Sequence, residues 1–161
     1  MGPSDVIEIT QFFWRLLQVE KDSAAAQRLL LMEISLNREV ISVAGRAETN
    51  RGKLLALGAL KTDMLMLVIS RSNIFARLED KLKDLEVPDY VDITPVGDEA
   101  SPVMVKGIDV LERAAKRITA IHALIAVADH LPDGAYRIDV RMRNLSRLLE
   151  NLSGALAKSP G

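Results

Sequence analysis

Two side chains of this sequence combine reactive chemistry with a suggestive spacing: Arg117 and His122, in the sense Arg-x-x-x-x-His. A guanidinium stabilises the charge developing on a phosphorane, and an imidazole moves protons near neutral pH. The second histidine, His130, stands beside Asp129 and close to Asp133. These three could contribute metal donors. Metal sites in helical bundles, however, draw several carboxylates and a Glu-x-x-His pair from facing helices, and the sequence holds no Glu-x-x-His. A last-turn histidine is better explained by the negative end of a helix. The chain has no cysteine, which excludes disulfides, thiolate nucleophiles and cysteine-held zinc. It also has no glycine-rich phosphate loop and no serine with a convincing base. No metal and no cofactor is expected.

The spacing of Arg117 and His122 is similar to the motif of HEPN-type ribonucleases. The resemblance implies that the pair would jointly engage the scissile phosphate and the 2′-hydroxyl of RNA. It covers these two residues alone, and Ile118 stands where that family usually has a polar residue. The preferred reading is local: His122 borders an apolar stripe and hydrogen-bonds nearby.

Cations form a third constellation. Arg143 and Arg147 lie opposite the apolar stripe of the last helical segment, Arg137 and Arg141 flank one edge of it, and Arg113, Lys116 and Arg117 sit on the preceding segment. Residues 100–161 hold nine Lys/Arg against six Asp/Glu, whereas the whole chain carries a net charge of -1. There is thus no global attraction to nucleic acid, but this surface could hold a phosphate backbone or an acidic partner. Asp139 and Glu150 dilute it, and solvation is the simpler role.

The elements that must carry these groups follow from a three- and four-residue rhythm. Leu57, Leu60, Met64, Leu67, Ile74, Leu78, Leu82 and Leu85 keep it, with Arg71 the one polar entry in the row, and Ile138, Met142, Leu145, Leu149, Leu152 and Leu156 keep it without a fault. The first segment, about residues 5–21, bears Phe12, Phe13 and Trp14 and is apolar over more than half its circumference. The second, about 23–48, has Ala25, Leu29, Met32, Leu36, Val40 and Val43 as its expected inward stripe, and Thr49–Gly52 supplies a turn. The third, about 53–86, reads as one helix of roughly 50 Å. Residues 87–101, rich in acids and containing Pro88 and Pro95, read as an exposed crossover loop. A fourth segment starts at Ser101 or Pro102 and runs to about Leu131, and the last spans about 135–157.

The expected fold is therefore all-α, a single domain over residues 1–161: an antiparallel bundle of four long helices plus the aromatic-rich N-terminal helix. At 48% apolar and 27% charged residues the chain can build a core rather than remain disordered. No apolar run approaches the ~20 residues of a membrane span, and Met1–Asp5 lack a basic leader, so the expected setting is cytoplasmic with no membrane partner. The function ranked first is a non-catalytic interaction or assembly module. It would bind a protein partner or a second copy through apolar faces carrying Phe12, Phe13, Trp14, Leu54, Leu65 and Val68. A nucleic-acid-binding subunit using the arginine surface ranks second, and a HEPN-like ribonuclease third.

Overall fold

The computed structural model describes residues 23–71, 76–90, 102–132, 134 and 137–158. In chain order these form α1 (Ser23–Ala44), α2 (Asn50–Ala56), α3 (Asp63–Ser70), α4 (Ala76–Leu82), β1 (Glu86–Asp89), β2 (Val103–Lys106), α5 (Asp109–Val127) and α6 (Ile138–Ala157). Short 3-10 turns follow α2 at Leu57–Ala59 and α5 at Ala128–His130. The class is helical as expected, but the bundle of four long helices is not what forms. Three long helices are joined by three short ones and an antiparallel ribbon. The aromatic segment with Phe12, Phe13 and Trp14 lies outside the described residues, among which Tyr90 is the one aromatic side chain described.

The expected 50 Å third helix is broken at Leu60–Thr62, and α1 supplies the reason. Thr62 precedes α3 but offers it no side-chain cap. Glu33 of α1 does so instead: Oε1 accepts the Met64 N–H at 3.0 Å and Oε2 the Leu65 N–H at 2.8 Å. One turn further on, the Asn37 amide brackets Lys61, accepting its N–H and donating to its carbonyl, both at 2.8 Å. Both side chains are buried. They satisfy main-chain groups that a continuous helix would have paired internally, so the break costs little. The apolar rhythm survives because each short piece keeps its own inward side, with Leu54, Leu57, Leu60, Met64, Leu65, Val68, Leu78 and Leu82 all buried.

Other boundaries also move. Thr49–Gly52 is not a free turn: Thr49 Oγ1 accepts the Gly52 N–H at 2.9 Å and caps α2. Glu86–Asp89, expected to end a helix and open a loop, pairs with Val103–Lys106, expected to begin one. Val87 stands opposite Val105, and both are buried beneath the ribbon. Gly107, at φ +58°, turns the chain from β2 into α5, with its N–H on the Leu85 carbonyl at 2.9 Å. α6 keeps its expected stripe, and α5 buries a single row of its own. Leu111, Ala115, Ile118 and Ile121 are buried on one, and Ile138, Met142, Leu145, Leu149, Leu152 and Leu156 on the other.

α1 is turned relative to expectation. Its core row is Ala26, Leu30, Ile34, Ile41 and Ala44, with Glu33 and Asn37 among them. Of the expected stripe Ala25 is buried, whereas Leu29, Met32, Leu36, Val40 and Val43 form a second row beside the core. Leu29 and Val40 are half-buried; Met32, Leu36 and Val43 are 52%, 56% and 51% exposed.

Candidate functional site

The strongest polar constellation gathers where the ribbon meets α5 and α6. Strand alternation places Asp89 on the same inward side as Val87, and the Asp89 side chain is only 4% exposed. Arg113 and Arg117, one turn apart on α5, converge on it. Arg113 Nη1 donates to Oδ2 at 3.3 Å, and Arg117 donates to Oδ1 through Nε at 3.1 Å and through Nη2. Arg117 Nη2 also reaches the Tyr90 carbonyl, which accepts from Asn144 Nδ2 of α6 at 3.4 Å as well. The Arg147 guanidinium lies over the Tyr90 ring, 4.5 Å from its centroid. Asp89 and Arg117 depend on each other here, because removing either would leave the other's buried charge without its close partner.

This arrangement changes the meaning of the expected sites. Arg117, with a side chain 11% exposed, is committed to Asp89 and Tyr90. His122 lies about 140° further round the helix. Its Nε2 is buried without a hydrogen-bond partner among the described residues. The expected cationic surface is likewise divided. Arg113, Arg117 and Arg147 are drawn to the Asp89–Tyr90 turn, and Lys116 pairs with Glu112 at 3.7 Å. Arg141 is half-buried, while Arg137 and Arg143 are exposed. An open groove of about 420 Å³ between β2 and α5 mixes Lys106, Arg113 and Lys116 with Asp109 and Glu112, so it offers no field of one sign.

The expected partner-facing residues separate in the same way. Leu54, Leu65 and Val68 are fully buried in the chain's own core, because the short helices α2 and α3 each turn them inward. Phe12, Phe13 and Trp14 lie outside the described residues. Among the described residues the apolar side chains that stay exposed include Met32, Leu36 and Val43, on one side of the long helix α1, and Val127 at the end of α5. Leu55 and Met66 are exposed on separate short helices, and Val103 and Met104 on β2.

Sequence reasoning missed Asp89, Tyr90 and Asn144, and it assigned the outer row of α1 to the core. The alternation Val87-x-Asp89 was a signal for the first, obscured by Pro88 and by the surrounding acids. Among the described residues no group of three or more His, Asp or Glu is placed to hold a metal ion, and no helix is long and apolar enough to cross a membrane. No protein-family model, curated protein or solved structure matches this chain.

Proposed function

We propose that this chain is a non-catalytic helical interaction and assembly module, working through the outward apolar row of α1. One observation carries the reading: Met32, Leu36 and Val43, all large and apolar, stand about half exposed in line on a 22-residue helix. Scattered apolar residues are normal on a surface, but an aligned row along a rigid helix is what helix-to-helix recognition uses. The commitment of Arg117 to Asp89 and the burial of His122 Nε2 support a non-catalytic role over a ribonuclease. The division of the cations supports a protein partner over nucleic acid. A cytoplasmic setting accords with the cysteine-free sequence.

The test is the double substitution Met32→Glu/Leu36→Glu in the full chain. It should abolish self-association or partner capture, read by light scattering and co-purification. Unfolding free energy should shift by no more than about 1 kcal/mol, since both side chains are half exposed. Arg137→Glu/Arg143→Glu should leave capture unchanged. Salt-dependent RNA binding by the unmodified chain, lost in that second variant, would overturn the reading in favour of a nucleic-acid subunit.

A further inference from the structure

We propose that the outer edge of β2 is a peptide-docking site, at which an extended segment of a partner protein joins the ribbon as a third strand. The site is separate from the α1 row and does not depend on it. The Gly107 N–H on the Leu85 carbonyl makes Leu85 and Gly107 a hydrogen-bonded pair, and the register continues such pairs at Val87↔Val105 and Asp89↔Val103. Pro88, Met104 and Lys106, which alternate with these, therefore turn their main-chain groups away from the ribbon. On β1 that outer edge is closed. Pro88 has no N–H to offer, and the Tyr90 carbonyl just beyond accepts from Arg117 and Asn144. On β2 it is open. Met104 and Lys106 each present an N–H and a carbonyl there, and among the described residues no main-chain group pairs with them on that side.

The unpaired groups select the chemistry of the occupant. Donors and acceptors alternating at strand spacing are matched by another extended backbone, not by a helix face or an anion. Space for it is present. The groove of about 420 Å³ is lined by all four residues of β2 and, from α5, by Glu112 and Lys116 among others. That volume lies within the roughly 300–1,000 Å³ of ligand clefts. Val103 and Met104, 55% and 47% exposed, leave apolar surface on the same strand for the incoming segment to cover. Strand alternation then sets the pattern of the occupant. Its residue opposite Met104 shares that side chain's face and is apolar. The next residue, opposite Val105, turns into the groove toward Glu112 and Lys116 and is polar.

Amide hydrogen exchange of the full chain reads this edge residue by residue. In the free chain the Met104 and Lys106 amides should exchange fast and the Val103 and Val105 amides slowly. The probe is a set of short capped peptides alternating Val or Leu with Thr. Their binding should slow exchange at Met104 and Lys106. Methylating every second peptide nitrogen should abolish binding in one phase and spare it in the other, because alternate N–H groups of an added strand face β2. Met104→Pro removes the edge donor, as Pro88 does on β1, without removing a bond to β1, and should weaken the peptides at least about tenfold. Met104→Leu keeps the donor and should bind as the wild type does. So should Met32→Glu/Leu36→Glu, which separates this site from the α1 row. Slow exchange at Met104 and Lys106 in the free chain at every concentration would show the edge already covered and overturn the proposal. Protection that sets in only as the chain is concentrated would overturn it too, assigning the edge to a second copy. Binding indifferent to both methylation phases would mark side-chain docking and overturn it, as would no binding by any of the peptides at about 1 mM. Should Met104→Pro fail to fold, the methylated peptides test the same bond on the unaltered chain.

Discussion

Glu33→Ala is expected to destabilise the protein by about 2–4 kcal/mol, because two buried N–H groups at the start of α3 would lose their only cap. Those groups are Met64 and Leu65, each on one oxygen of the Glu33 carboxylate. The figure stays below the sum of two charge-assisted bonds because burying a carboxylate is itself unfavourable. That burial, foremost, raises the Glu33 pKa; the neighbouring Asp63 charge adds to it, and the Met64 and Leu65 N–H groups pull the other way without cancelling it. A folded pKa above the unfolded value means the native state holds this proton more tightly. The Glu33 contribution is therefore greatest below the unfolded pKa and declines as pH rises through the folded one. Glu33→Gln removes that titration while keeping the shape. The stability of wild type relative to Glu33→Gln should thus be larger at mildly acidic pH and shrink toward neutrality, as read by urea unfolding across the range. A difference that grows with pH would contradict the assignment.

The second large effect lies at the ribbon. Asp89→Ala is expected to destabilise by about 2–4 kcal/mol, slightly less than loss of a fully buried ion-pair partner, because Arg117 retains the Tyr90 carbonyl. The arginines should differ sharply. Arg113, 46% exposed, should lose under about 1 kcal/mol on change to alanine. Arg117→Ala should lose at least about 2 kcal/mol, since it leaves a buried carboxylate with a single long contact. Equal losses for the two arginines in chemical denaturation would show that the carboxylate is better solvated than its burial implies.

These two side chains also mark what could be read from the sequence. α5 and α6 were legible because each carries a single apolar row, and only one rotation buries it. α1 carries two rows at the same spacing, and the wrong one looked better. The true core row includes Glu33 and Asn37, whose polar identity made it read as surface, whereas their partners are main-chain groups far away in sequence. The break after α2 was hidden for the same cause: local pattern favours a continuous helix there, and the residues that break it sit on another element. Asp89 read as one more acid in a solvated loop. Its role depends on an antiparallel pairing with Val103 that no local spacing encodes.

The fragmented middle of the chain bears on the order in which the protein assembles. α2, α3 and α4 have seven or eight residues each, well below the roughly 12–15 at which an isolated helix begins to hold in water. None can persist until something outside it is in place, and for α3 that something is Glu33 and Asn37 on a formed α1. α2, α3 and α4 are thereby expected to order late, templated on long helices that consolidate first. Their amides would exchange through openings smaller than global unfolding, while α5 and α6 stay protected. Two polar side chains on α1 thus set not only where a helix begins but when.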